Sequence, residues 1–210
     1  MQNLLDKKTI VIGLEDVLVR LSLEELEDFD LAFSLSIKVY VKFRPFMFEF
    51  LENISDRFEV IVYCKGGEEY CSSILEAIEK KKTYFSHKLY KDHVLFENLK
   101  YSVKYYDFLM GNGRSVDNTI ILDQNVGVFC LNMFNGIPIS PFLSSRTDIY
   151  DIQLACVAQY LEHLKDVPSI CDAISASLRE AMLNQVKIGY NNDPESEEEV
   201  EQDSEYLLTN

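Results

Sequence analysis

The 210-residue chain has no tryptophan and only 8 glycines and 5 prolines. So few backbone breakers exclude collagen-like, linker-rich and low-complexity chains. Basic residues are also scarce, with 20 Lys and Arg against 35 Asp and Glu, a formal net charge of −15. That balance excludes a nucleic-acid backbone binder, which needs clustered Lys and Arg to displace counterions. The five cysteines (64, 71, 130, 156, 171) are an odd set with no CxxC or zinc-type spacing. They read as buried free thiols of a reducing compartment. No apolar run approaches the roughly 18 residues of a membrane span. The start MQNLLDKKTIVIGL has neither a signal-peptide core nor an Arg-rich leader. The reading is intracellular and soluble, nuclear or cytoplasmic ahead of mitochondrial.

There is ample core material, 47% hydrophobic residues, and it falls into two periodicities. Thr9–Leu14, Phe58–Cys64, Thr119–Asp123 and Val128–Leu131 are continuous apolar runs, as strands buried on both faces of a parallel sheet require. Between and after them come helical patterns. Arg44–Asp56 places Phe46, Phe50, Leu51 and Ile54 on one face, and Glu68–Lys82 does so with Tyr70, Ile74 and Ile78. Asp148–Lys165 repeats the spacing with Ile152, Cys156, Tyr160 and Leu164, and a last helix follows Pro168 with Ile170, Ile174, Leu178 and Met182. Alternating strands and helices imply an α/β sheet with right-handed crossovers. Leu21–Ser36, with five carboxylates, is expected to be a loop or short helix, and Phe85–Val103 a hairpin beside the sheet. Asn192–Asn210 is acidic and poor in hydrophobics, which predicts disorder. The expected domain is 8–188, with an acidic tail over 189–210.

The order of motifs carries a resemblance. TIVIGLEDVLV, then YVKFRPFMFEFLENISDRFEVIVYC, FSHKLYKDHVLF, TIILDQ, NGIPISPF and LEHLKDV follow one another over roughly Lys8–Asp172. Together they resemble the domain of RNA-polymerase-II C-terminal-domain phosphatases and their small relatives, the NLI-interacting-factor type of the haloacid dehalogenase superfamily. The resemblance implies a Rossmann-like α/β core with a central, mainly parallel sheet, a small β-hairpin insertion and C-terminal helices. It also implies phosphoryl transfer through an aspartyl-phosphate, with a second aspartate as acid and base, a Thr or Ser and a Lys on the phosphoryl oxygens, and Mg²⁺ on a final acidic pair.

Aligned on that pattern, the nucleophile position is Gly13, which has no side chain to attack with. The general-acid position is Glu15, a carboxylate one methylene too long, and the motif's Thr is Val17. The Thr that ends the second motif strand is Cys64. Lys104 matches the family lysine, and the last acidic pair is Asp123-Gln124. Losing a covalent nucleophile removes on the order of 10⁴–10⁶ in kcat in the one well-dissected hydrolase. The chain therefore reads as a pseudophosphatase, its pocket (Gly13, Glu15, Val17, Cys64, Lys104, Asp123, Gln124) vestigial. No catalytic residue, cofactor or metal site is expected, and Asp123 is the one surviving ligand for Mg²⁺ should activity remain.

Sharper readings were weighed against plainer ones. Cys64 followed by Lys65-Gly66-Gly67 and a helix is the setting of a cysteine-phosphatase nucleophile. The arginine such a loop needs about six residues on is Tyr70, so a thiol filling the Thr slot is the better reading. Gly66-Gly67 before a helix is the place for a backbone phosphate cradle or a plain loop. Residual hydrolysis would run through Glu15 with Asp16 and a water. The Lys104 ammonium, within about 4 Å of Asp123, would fill part of the old Mg²⁺ site. His87, His93 and His163 offer no third ligand and read as structural. Tyr101, Tyr105, Tyr106 and Phe108 would line a peptide groove or pack in the core. The leading function is a non-enzymatic module that binds a protein or phosphopeptide partner, of undefined oligomeric state. The alternatives are a weak Mg²⁺-dependent Ser/Thr phosphatase and a domain like the presequence receptor of the inner-mitochondrial-membrane translocase, whose catalytic motifs are also degenerate.

Overall fold

The computed structural model describes residues 7–91, 114–129, 133–144 and 150–191. In chain order the elements are β1 (Thr9–Gly13), β2 (Val19–Ser22), β3 (Leu31–Ser34), β4 (Lys38–Phe43), α1 (Met47–Ser55), β5 (Glu59–Tyr63), α2 (Glu68–Ile78), β6 (His87–Leu89), β7 (Thr119–Asp123), β8 (Gly136–Pro138), α3 (Gln153–Leu164) and α4 (Ile170–Asn191). The apolar runs TIVIG, EVIVY and TIILD become β1, β5 and β7, buried at every position. They sit inside a five-stranded sheet ordered β6-β5-β1-β7-β8, in which every pairing is parallel. β1 lies at its centre, so the carboxyl ends of β1, β5 and β7 open on one rim. That rim is where parallel α/β sheets place their ligands.

The α/β Rossmann-like class holds, and the antiparallel insertion lies earlier in the chain than Phe85–Val103. β2, β4 and β3 form a separate three-stranded sheet between β1 and α1. The stretch read as a loop or short helix is thus partly strand. Its apolar alternation pairs half-buried Leu31 and Phe33 of β3 with buried Val41 and Val39 of β4, and the run of carboxylates belongs to the β2–β3 connection. Tyr40 anchors that connection: its ring meets Phe29 edge-on, centroids 5.1 Å apart, and its hydroxyl donates to Glu25 at 3.3 Å. His87–Leu89 is the strand β6, parallel to β5, and residues 92–103 of the expected hairpin lie outside the described residues.

Other boundaries shifted for local reasons. α1 starts at Met47, with Phe46 before it in a left-handed conformation (φ 63°), so Met47 rather than Phe46 joins Phe50, Leu51 and Ile54 in the core. α3 buries Leu154, Val157, Leu161 and Leu164. Ile152 and Cys156, expected on the buried face, are exposed, because two adjacent stripes of this helix are apolar and packing selects one. Val126–Phe129 is a single 3₁₀ turn, not the start of a strand, and the fifth strand is β8 within NGIPISPF.

Contacts divide the chain into two compact units, one through Cys171 and one from Asp172, inside α4. No helix among the described residues is long and apolar enough to cross a membrane. Asn192–Asn210 lies outside the described residues.

Candidate functional site

β1 delivers Gly13 to the rim, and the chain turns back at once. The Leu18 N–H donates to the Leu14 carbonyl at 3.0 Å and the Asp16 N–H to the Val19 carbonyl at 2.8 Å. Asp16 takes a left-handed conformation (φ 61°) to close this turn, and its carboxylate pairs with Arg20 at 2.9 Å. The turn is clamped from outside. Arg44, fully buried, donates to the Val17 carbonyl at 3.1 Å and the Ser140 carbonyl at 3.0 Å, and pairs with Asp151 at 2.8 Å. The Phe142 N–H donates to the Asp16 carbonyl at 2.7 Å. Arg44 of RPF and Ser140–Phe142 of NGIPISPF are distant in sequence, and their shared task is to hold the loop after β1.

At Gly13 the space a side chain would enter is taken. A Cβ there would lie 2.5 Å from Asp123 Oδ2 and 3.2 Å from Val17 Cγ2. Asp123 is almost wholly buried at the end of β7, and its Oδ1 accepts the Asn125 N–H at 2.7 Å. Burial pushes its carboxyl above the usual carboxylate range, and Glu15 adds to this. The Asn125 N–H and the charge of Lys65 oppose the shift.

Glu15 reaches across to the loop between β5 and α2. Its Oε2 accepts the Lys65 N–H at 3.0 Å, its Oε1 accepts the Gly66 N–H at 3.2 Å, and the Cys71 thiol points at Oε1 from 4.0 Å. Gly66 is required here by close approach, since a Cβ would fall 2.7 Å from Tyr70 Cδ1 and 2.9 Å from Cys71 Sγ. Of the glycine pair singled out in the sequence, Gly66 shares with Lys65 a backbone cradle, and what it holds is the chain's own carboxylate.

Cys64 ends β5, fully buried, and its thiol is pushed far above the ordinary thiol range by hydrogen bonding to Cys71 and by burial. A thiol held protonated is a poor nucleophile. Val17 is fully buried.

Mg²⁺ asks for carboxylate oxygens facing open space. One oxygen of Asp123 and both of Glu15 are committed to N–H donors. Among the described residues no three His, Cys, Asp or Glu side chains converge as a metal site. This donor set does not fit the ion.

β3 of the small sheet closes one side. Phe33 meets Tyr70 of α2 edge-on, with centroids 5.8 Å apart, and burial and the charge of Glu15 push the Tyr70 hydroxyl up. Neither Phe33 nor Arg44 stood out in the sequence as part of the site. The signal for Arg44 was its place in RPF, whereas Phe33 had none beyond its alternation. Lys65, read only as part of a loop, supplies a positive charge that Asp123 feels. Lys104 lies outside the described residues, as do His93, Cys130 and the aromatic group Tyr101, Tyr105, Tyr106 and Phe108. His87 stands away from the rim, with Nε2 3.4 Å from Glu59.

The NLI interacting factor-like phosphatase family matches residues 8–171. Curated relatives include CTD small phosphatase-like protein 3 of Caenorhabditis elegans, 29% identical over 170 residues, covering 77% of this chain and 57% of the relative. CTD small phosphatase-like protein 2 of Dictyostelium discoideum is 31% identical over 172 residues, covering 79% of this chain and 30% of the relative. The phosphatase PSR1 of Saccharomyces cerevisiae is 30% identical and covers 79% of this chain and 39% of its own length. The chain thus spans between about a third and three fifths of these relatives. In fold it is similar to Fcp1, an essential RNA polymerase II CTD phosphatase, with a TM-score of 0.54 at 14% identity over 90% of this chain and 55% of that one.

Proposed function

The chain belongs to the NLI interacting factor-like phosphatase family, and from that premise we propose that it is a phosphatase-like domain without turnover, which binds a protein partner. One observation carries the reading. Where the family motif places its nucleophile this chain has Gly13, and the carboxylate of Asp123 stands 2.5 Å from where a Cβ would begin. Gly13 offers no side chain to attack phosphorus, and the carboxylate that would help hold Mg²⁺ stands against the attacker's space. A water activated by Glu15 would have to share that carboxylate with the N–H donors that already hold both of its oxygens.

What remains beside the rim is a surface. β3 presents Leu31 and Phe33 next to Tyr70, and the same alternation continues to Leu35 and Ile37, exposed at 44% and 61%. An apolar strip bordering a site is suited to docking an extended partner segment. The partner is a protein or phosphopeptide held by this strip, as for a scaffold or for a regulator of active relatives.

The test is hydrolysis of an aryl phosphate with excess Mg²⁺, comparing the wild type with a Gly13→Asp, Glu15→Asp, Val17→Thr variant. The wild type is expected to stay at background while the triple variant gains turnover, the gap bounded by the roughly 10⁴–10⁶ that a covalent nucleophile is worth. Wild-type turnover above background would overturn the reading.

A further inference from the structure

We infer that Glu15 is a tethered ligand: its carboxylate occupies the oxyanion cradle of the β5–α2 loop and keeps external phosphate out. This deepens the reading above, on which it rests, by naming what regulates that same pocket. The carboxylate spans two consecutive N–H groups, one oxygen on Lys65 at 3.0 Å and the other on Gly66 at 3.2 Å. Two parallel N–H donors presented to two oxygens is the geometry that also receives a phosphoryl group. The second observation is Gly66 itself. A Cβ at this position would meet both Tyr70 and Cys71, so the absence of a side chain lets the loop pack against α2 while its N–H faces the carboxylate.

Side-chain length explains the occupancy. Glutamate at position 15 is one methylene longer than the aspartate the family pattern carries, and that methylene lets the carboxylate reach the neighbouring loop. The plug is intramolecular, so it competes with a free anion at an effective concentration in the millimolar range or above. A phosphate must displace it and leave a carboxylate beside a dianion, next to buried Asp123.

The experiment titrates inorganic phosphate into the full chain and follows the backbone amide resonances of Lys65 and Gly66. The proteins compared are the wild type, Glu15→Ala, Glu15→Asp and Glu15→Gln. Removing the carboxylate in Glu15→Ala is expected to tighten phosphate binding about tenfold or more, a factor equivalent to 1.4 kcal/mol, with both amides shifting on saturation. Glu15→Asp, which shortens the reach, and Glu15→Gln, which keeps the volume but loses the charge and one of the two acceptors, are both expected to fall between. Glu15→Asp also serves if the alanine variant fails to fold. The inference is overturned if folded Glu15→Ala or Glu15→Asp binds phosphate no more tightly than the wild type. It is equally overturned if phosphate leaves both amides unmoved in folded Glu15→Ala. Aryl-phosphate turnover measured on the same samples separates the two readings: a wild type that turns over sinks the non-enzymatic proposal, while the amide shifts alone judge the plug.

Discussion

At the amino ends of β1, β5 and β6, a buried carboxylate meets every partner it needs. Glu59 accepts the Thr9 hydroxyl at 2.7 Å and a two-pronged contact from Arg114, Nε at 2.7 Å, with His87 beside it. At the carboxyl ends of the same sheet, among the described residues, Glu15 and Asp123 are held by backbone N–H groups, with the Cys71 thiol beside Glu15 and Lys65 as the charge that Asp123 feels. The two ends shift their carboxylates in opposite directions. Burial raises Glu59, but Arg114 and Thr9 outweigh it and the group sits below its usual range. Asp123 sits above. One end is built for stability, while the other carries groups that a purely structural sheet would not retain. That asymmetry marks the pocket even with its nucleophile position occupied by glycine.

Three substitutions break or sharpen this contrast. Arg44 is the exception at the carboxyl end, a fully buried charge with a fully engaged fork. Arg44→Ala leaves Asp151 and two carbonyls without their donor, and breaking a buried pair in this way costs about 3–5 kcal/mol. Urea unfolding should show that loss, and a change within the scatter of surface substitutions would remove the clamp from the account. Glu59→Gln should cost less, about 1.5–3 kcal/mol at neutral pH, the range for hydrogen bonds to charged groups.

The pH dependence gives the sign. A carboxyl depressed in the folded state adds stability above its unfolded pKa, and this is lost as pH falls through the folded value. Glu59→Gln should therefore flatten the acid limb of the stability profile. The smallest effect expected is at Asp123. A carboxyl raised in the folded state binds its proton more tightly there than in the unfolded chain. Stability then declines as pH rises from the ordinary carboxylate range through the raised value. Asp123→Asn, which keeps an acceptor for the Asn125 N–H, should raise the unfolding midpoint at neutral pH, with the gain shrinking in acid. A variant less stable than wild type at neutral pH would mean Asp123 is held by more attraction than burial and Lys65 imply.

How far these features could be read from residues varies with their range. β1, β5 and β7 were legible because burial on both faces forces a continuous apolar run. That the position aligned with the family nucleophile is Gly13 was legible because the identity of one residue needs no structure. The small sheet was obscured because the carboxylates of its β2–β3 connection masked the alternation of β3 and β4. α3 was rotated because two of its stripes are apolar.

By itself, then, the sequence determined the α/β class, the central strands, the family motifs and the glycine at position 13, since each follows from local composition or from the identity of one residue. Only the tertiary structure decided that Asp123 fills the place left at Gly13, that Glu15 closes the cradle at Lys65 and Gly66, and that Arg44 clamps the loop between them. Those are contacts between segments from about 30 to more than 100 residues apart. Their existence depends on side-chain reach and on which loops a parallel sheet brings to one rim, and neither is written in the spacing of the chain.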